Sequence, residues 1–342
     1  MSDTRRVLIA GIGGASLGTE ILKCLRLVGG YEVFGCDISP HAFGHYQAGF
    51  AETFLVARDG YVDAVEELCV RHGIAAVIPG GEGPLGLLGP QAERFAAAGV
   101  HVAANSPDVV ATCSDKARLF ERLAALGVPM PRTVTVRDAS QCGEVGYPCV
   151  VKPATGTGGS RFVFLAADRA EAELYAAFVL NNADAVLIQE YVPHDEGEFT
   201  VGVLSTPAGR LVGSVAMRRL FHAKLSVQFE TAAGLISSGY SQGLIDEFPE
   251  VRSQSEAIAR AIGSAGPVNI QARLRGGRLL PFEINPRFSA STYLRALAGF
   301  NEIDIYLRHV LDGRPLPAVA VRPGYYLRSL DELAVPLDEV KR

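Results

Sequence analysis

The chain has 342 residues, 48% of them hydrophobic and 20% charged, with a formal net charge of -5. That is the composition of an ordinary globular protein of about two domains. A pI near 5.9 argues against a nucleic-acid binder.

The opening segment, residues 1–6, runs straight into a short apolar strand broken by charges and glycines, which reads as neither a signal peptide nor a membrane span. Residues 6–10 read as a buried strand. The turn GIGGASLG at 11–18 leads into an apolar-periodic helix to about residue 28, and residues 31–36 form the next strand, ending at Asp37. The alternation continues with a helix at 62–72, a strand at 75–79, a helix at 90–98 and a strand at 100–103. Repeated β-α-β units imply a parallel sheet with helices on both faces. The glycine turn loosely matches a dinucleotide fingerprint, with Asp37 placed as a ribose ligand. It also reads as a loop lining a small anionic substrate, or as a tight turn that lets a helix pack closely. The loop PGGEGP at 79–84 lies at the carboxyl end of a strand, where open sheets bind ligands. Its Glu82 either faces a cationic or amine-bearing substrate or sits solvated.

Ser114 or Asp115 caps a helix over 116–125 that GVPMP at 127–131 ends. Lys116 stands at its start. Residues 148–153 form a strand with Lys152 near its end, and ATGTGGS at 154–160 joins it to a strand at 161–164. This loop links two strands and lacks the Walker A spacing, but its glycines expose backbone N–H groups suited to phosphate oxygens. Thr155, Thr157 and Ser160 add hydroxyls, and Lys152 adds charge. A plain flexible hairpin is the other reading. A helix over 170–179 covers this unit.

A strand over 185–192 makes residues 189–192 a hinge beside an adenine, and Glu198, opening the strand at 197–204, is placed to accept from a ribose. The strand at 211–220 ends in a basic cluster, Arg218, Arg219, His222 and Lys224, suited to phosphate or a substrate carboxylate. After a helix at 254–262 comes a hairpin, NIQAR at 269–273 and PFEINPRF at 281–288, joined through Gly276-Gly277. Strand alternation puts Glu283, Asn285 and Arg287 on one face, with Gln271 opposite. Three oxygen donors beside a guanidinium suit a magnesium–nucleotide site; a solvated hairpin edge is the plain alternative. Helices near 294 and over 303–311 and an alternating strand at 320–330 complete the chain. The six cysteines, Cys24, Cys36, Cys69, Cys113, Cys142 and Cys149, form no CxxC pair and read as reduced structural thiols in a cytoplasmic protein.

Taken in order, Lys116, Lys152 with its glycine flap, residues 190–192, Gly197-Glu198-Phe199-Thr200-Val201, Gln271 and Glu283-x-Asn285-x-Arg287 resemble an ATP-grasp enzyme across about residues 1–318. The likeness is greatest to the carbamoyl-phosphate-synthase-like branch. It implies an α/β plus α+β architecture: a Rossmann-like parallel-sheet pre-grasp domain at 1–112, then a two-subdomain ATP-grasp fold. The small subdomain with the flap would span 113–188, the metal-bearing subdomain 189–318, and a strand and tail 319–342.

The resemblance also implies roles. Lys116 and Lys152 would contact the ATP phosphates, under a flap of Thr155, Gly156, Gly158, Gly159 and Ser160. Glu190, Tyr191 and Val192 would meet adenine, and Glu198 the ribose. Gln271, Glu283 and Asn285 would hold one or two Mg2+ ions, with Mn2+ as a substitute. Gln271 is neutral where many members carry an acid, which weakens two-metal binding. Arg287 would steady an acyl phosphate, making it and Lys152 the catalytic pair. Substrate candidates are Glu82, Arg218, Arg219, His222, Lys224, Arg287 and Ser289. The implied activity is an ATP-dependent, ADP-forming carboxylate–amine ligase making an amide or peptide bond through an acyl phosphate. Another ATP-grasp phosphoryl transfer, carboxyphosphate chemistry or a non-catalytic nucleotide-binding protein are the alternatives. Complete carbamoyl-phosphate synthesis fits poorly, because it uses two grasp modules and an ammonia source. The expected partners are a small carboxylate and an amine, not nucleic acid or membrane, with a homodimer left open.

Overall fold

The computed structural model describes residues 4–155, 162–222 and 224–341. Its first sheet has strands β1 (Arg5–Ala10), β2 (Tyr31–Asp37), β3 (Glu52–Leu55), β4 (Ala76–Pro79) and β5 (His101–Val102), all parallel in the order β3-β2-β1-β4-β5. Central β1 is covered on both sides, so Val7 through Ala10 are fully buried, as expected for a parallel strand. Helices α1 (Leu17–Val28), α2 (Tyr61–His72), α3 (Glu82–Leu88) and α4 (Ala92–Ala97) fill the connections. Two of these elements lie outside the sequence expectation. Strand β3 is only four residues long, and α3 is written EGPLGLL, which reads as a loop. Its Pro84 lies in the first turn, where no intrahelical N–H is needed.

The glycine turn after β1 has a packing role. A Cβ on Gly18 or on Gly80 would run into the Gly11 carbonyl, so the β1–α1 and β4–α3 turns approach only because both are glycine. Asp37 Oδ2 accepts from Ile12 N at 2.8 Å and Oδ1 from Ser39 N at 2.9 Å. One oxygen of the suggested ribose ligand thus braces the glycine turn, and the other braces the loop that follows β2.

Helices α5 (Pro107–Ser114) and α6 (Lys116–Ala125) lead to a second sheet. Asp115 caps α6 by accepting from Ala117 N and Arg118 N. Strands β6 (Thr133–Val136), β7 (Cys149–Pro153), β8 (Phe164–Ala166) and β9 (Val186–Glu190) pair antiparallel in the order β6-β9-β7-β8, with α7 (Arg169–Leu180) against them.

The rest builds a six-stranded antiparallel sheet ordered β16-β15-β10-β11-β14-β17. Its strands are β10 (Glu198–Ser205), β11 (Leu211–Arg219), β14 (Gly243–Ile245), β15 (Pro267–Arg275), β16 (Arg278–Asn285) and β17 (Gly324–Tyr326), with hairpin β12 (Val227–Thr231) and β13 (Gly234–Ser237) beside it. The strand expected over 320–330 contracts to β17. All eight residues of β10 are buried. Phe199, Val201 and Val203 pack with Val251 and Ile258 of α8 (Pro249–Ala261). The opposite face meets α9 (Thr292–Leu297) and α10 (Glu302–Asp312), where the wholly buried Arg295 binds Glu302 Oε1 at 3.1 Å and Asn269 Oδ1 at 2.5 Å. A Cβ on Gly202 would come within 2.7 Å of Arg295 Cζ and 2.8 Å of Glu302 Oε2. Gly202→Ala is therefore expected to cost about 1–3 kcal/mol, read as a lower urea midpoint.

One apolar cluster runs from Val7, Ile9 and Leu22 through Phe300, Ile303 and Leu307. It seats the parallel sheet on the six-stranded one, with Asn301 Nδ2 donating to Cys24 O at 2.8 Å and Tyr31 Oη to Asp304 Oδ1 at 2.8 Å. This brings the β4–α3 loop to the end of β16. All six cysteines are buried and free. Among the described residues no helix is long and apolar enough to cross a membrane.

Candidate active site

A cleft lies between the second and third sheets. Val150, Val163, Ile236, Leu280 and Phe282 give it apolar walls, and Lys116, Lys152, Gln271 and Glu283 also line it. Such a mixture of apolar surface and a few convergent polar groups is the usual make-up of a ligand site.

Lys152, near the end of β7, is buried. Its Nζ donates to Gln189 Oε1 at 2.8 Å and Phe282 O at 2.9 Å, and lies 5.3 Å from the centre of the Phe120 ring. Burial, with the charge of Lys116 added, lowers its pKa to about 7 against an opposing pull from Glu283. Lys116 is half-buried at the start of α6. Its N–H donates to Ala154 O at 2.9 Å, and Asp115 and Thr155 form a bridge, so the helix start is stitched to the mouth of the glycine loop. Thr155 is exposed there. The expected flap residues Gly156, Gly158, Gly159 and Ser160 lie outside the described residues.

Across the cleft, Gln271 and Glu283 face each other in the β15–β16 register, and Gln271 Nε2 donates to Glu283 Oε2 at 3.0 Å. Asn285 ends β16 opposite Asn269 and is buried. The donors are one carboxylate and two amides, and among the described residues no group of three His, Cys, Asp or Glu side chains gathers. An all-oxygen set of this kind fits a hard cation such as magnesium better than zinc. Arg287 stands past the strand end. Its N donates to Asn285 O at 2.9 Å, Nη1 to Phe288 O at 2.8 Å, and Nε to Glu82 Oε1 at 3.0 Å. Ser289 is buried against Ser291, with 2.8 Å between their hydroxyl oxygens.

The hinge and ribose candidates show other occupations. Glu190 and Val192 line the cleft, but the Glu190 carboxylate pairs with Arg275 and accepts from Arg132 N. Tyr191 Oη accepts from Leu235 N at 2.8 Å, pinning β13 over the cleft. Glu198 is completely buried. Its Oε1 lies 3.0 Å from Arg219 Nη1 and its Oε2 2.8 Å from Arg273 Nε. Burial alone would raise its carboxyl pKa; the two guanidiniums more than offset that and hold it below the usual value. Arg219 also donates to Ser238 O and Tyr240 O, and Arg273 to Val192 O and Leu235 O. Glu198 and Arg219 therefore brace the cleft wall from behind and are not among its lining residues, whereas Arg273 is.

Alternation along β11 splits the basic cluster. Arg219 points inward, while Arg218, His222 and Lys224 are exposed, and these three are not among the cleft-lining residues. Gln189, expected in the adenine hinge, instead accepts from Lys152; sequence reasoning missed Arg273 and the β12–β13 hairpin. Arg273 had a signal, because it is two residues from Gln271 and so shares its strand face. The hairpin carried none.

A family model described as "ATP-grasp in the biosynthetic pathway with Ter operon" matches residues 182–333. The ADP complex of N5-carboxyaminoimidazole ribonucleotide synthetase superposes with a TM-score of 0.70, over 94% of this chain and 81% of that one, at 15% identity. The chain has the ATP-grasp fold. In ATP-grasp terms, the parallel sheet is the pre-grasp unit, and the four- and six-stranded sheets are the two jaws around the cleft. A second structural likeness is the L-amino acid ligase from Bacillus licheniformis, with TM-score 0.65, 16% identity, and 90% of this chain and 74% of that chain covered. In sequence, the carbamoyl phosphate synthase large chain of Mycobacterium tuberculosis (strain CDC 1551 / Oshkosh) is 31% identical over 226 residues, 64% of this chain and 19% of that protein. The chain thus spans about a fifth of that curated relative's length.

Proposed function

We propose that this chain is an ATP-dependent carboxylate–amine ligase, similar to the carbamoyl-phosphate-synthase branch in how it handles nucleotide and metal. The division proposed is a pre-grasp unit to about residue 112, jaws at 113–188 and 189–318, and a tail beyond. The supporting observation is the convergence of Lys116 and Lys152 from one jaw on Gln271 and Glu283 from the other. In this reading the cleft holds ATP with its base against Tyr191 and Val192. The two lysines meet the phosphates, and Arg287 steadies the carboxylate being activated. Glu283, Asn285 and Gln271 would hold magnesium, which supplies charge neutralisation for the phosphates.

A carboxylate oxygen of the substrate attacks the γ-phosphorus as the bond to the ADP oxygen breaks, leaving an acyl phosphate and ADP. An amine then attacks the acyl carbon, phosphate departs with the C–O bond electrons, and the nitrogen gives up a proton. Neither step requires a nucleophile from the protein, in keeping with six buried thiols that lie outside the cleft lining. The sequence match to carbamoyl phosphate synthase favours a second reading, in which bicarbonate is the carboxylate and the intermediate is carboxyphosphate.

Incubation with Mg-ATP and pooled carboxylates and amines, or with labelled bicarbonate, decides between them by mass spectrometry. A condensation product with stoichiometric ADP and phosphate supports the ligase, and label entering a product supports the second reading. AMP with pyrophosphate would overturn both. Glu283→Gln is expected to raise the magnesium concentration for half-maximal turnover by at least about 10–100-fold, the scale set by losing even an outer partner of a metal ligand. An unchanged magnesium titration would reject the metal assignment.

A further inference from the structure

Glu82 opens α3 at the carboxyl end of β4, 205 positions before Arg287, yet it closes on that arginine through both Nε and Nη2. Arg287 Nη1 is braced on its own chain by the Phe288 carbonyl. The edge it presents outward, Nε and Nη2, is the one with which arginine recognises the two oxygens of a carboxylate or phosphate. In this structure a single Glu82 oxygen, Oε1, already occupies that edge. The arginine side chain is 15% exposed and the glutamate 54%, so the glutamate can swing into water while the guanidinium stays put.

We propose that Glu82 is a positioning residue that stands in for the substrate's carboxylate, keeping the Arg287 fork closed until an anion of the right shape displaces it. The proposal rests on the assignment of Arg287 to the activated carboxylate. Without a stand-in, the cleft would hold Lys116, Lys152 and an open guanidinium around the γ-phosphate, with water as the available acceptor. With it, one carboxylate must be exchanged for another before the arginine serves phosphoryl transfer. Half-exposed ion pairs are weak, so the exchange costs little for a true substrate. A neutral molecule has nothing to offer the fork and cannot make it. Glu82 therefore ties ATP consumption to the presence of a carboxylate, and it does so from a different sheet than the one carrying Arg287.

The test titrates inorganic phosphate into MgADP-saturated protein by calorimetry, for wild type, Glu82→Gln, Glu82→Asp and Arg287→Gln. Glu82→Gln is expected to bind phosphate about 3–5-fold more tightly, the worth of an exposed pair, and to release ADP from Mg-ATP faster when no carboxylate is supplied. Glu82→Asp, with a shorter reach, is expected to fall between it and wild type, and gives the same readout should the glutamine variant fold poorly. A merely structural Glu82 would lower stability without tightening phosphate. Unchanged or weaker phosphate binding in both Glu82 variants, with Arg287→Gln weakened, overturns the stand-in and leaves the Arg287 assignment in place. Phosphate binding that is indifferent to Arg287→Gln overturns both.

Discussion

Lys152→Met is expected to lower ATP-dependent ADP formation by about 10²–10³-fold, the scale of removing one preorganised donor aimed at developing charge. Methionine keeps most of the side-chain volume and the contact with Phe120, so the variant isolates the ammonium. The charge is held in place from both jaws, by Gln189 of β9 and by the Phe282 carbonyl of β16. It is thus fixed before any nucleotide arrives. A folded variant, by circular dichroism, with wild-type turnover would reject the role.

The depressed pKa adds a second readout. Burial holds the Lys152 pKa at about 7 in the folded chain, against ~10.4 when unfolded. Between those values the unfolded chain binds more protons, so this group's contribution to stability rises with pH across that window, and its penalty is complete below pH 7. A phosphate chain placed beside the amine favours its charged form. MgATP binding at pH 8 should therefore take up as much as ~1 proton, and at pH 6 almost none. Calorimetry in two buffers of different ionisation enthalpy measures this; no uptake at pH 8 would exclude contact between Lys152 and the phosphates.

Glu198→Ala is expected to destabilise the fold by about 3–5 kcal/mol, because it strands two buried guanidiniums without their shared anion. Arg219 and Arg273 reach Glu198 from either side of it in the sheet, on β11 and β15. Both also hold carbonyls of the segment carrying β13, which covers the cleft. The same substitution should therefore loosen that wall and weaken nucleotide binding. Urea unfolding measures the first effect and equilibrium nucleotide titration the second. Glu198→Gln separates this account from a direct ribose contact. A ribose ligand would show as lost discrimination between ATP and 2′,3′-dideoxy-ATP at nearly unchanged stability, whereas a clamp shows as lost stability with discrimination intact.

Much of the fold was legible because its signals are local. Alternating apolar runs and glycine turns marked the parallel sheet, and Ser114-Asp115 marked the start of α6, with Asp115 the actual cap. Glycines at 276 and 277 joined two alternating strands, and that placed Gln271 opposite Glu283 as the structure has them. Helix α3 escaped because its composition, two glycines and a proline in seven residues, is that of a loop. Packing of Leu85 and Leu88 into the parallel-sheet core outweighs that propensity. The tail escaped in the opposite way, since residues 320–330 alternate but only 324–326 find a partner strand.

By itself the sequence determined which chemistry was present: two lysines ahead of a glycine loop, an acid and two amides at strand spacing, and an arginine just beyond them. Only the tertiary structure decided which charges oppose which. Adjacent Arg218 and Arg219 look equivalent in the chain, yet strand alternation at a covered sheet sends one to water and the other to Glu198. Glu82 and Arg287 meet because the apolar cluster shared by the parallel and six-stranded sheets docks one on the other. Periodicity is written in consecutive residues, whereas a charged group's partner depends on where distant segments return, and burial leaves it no solvent to use instead.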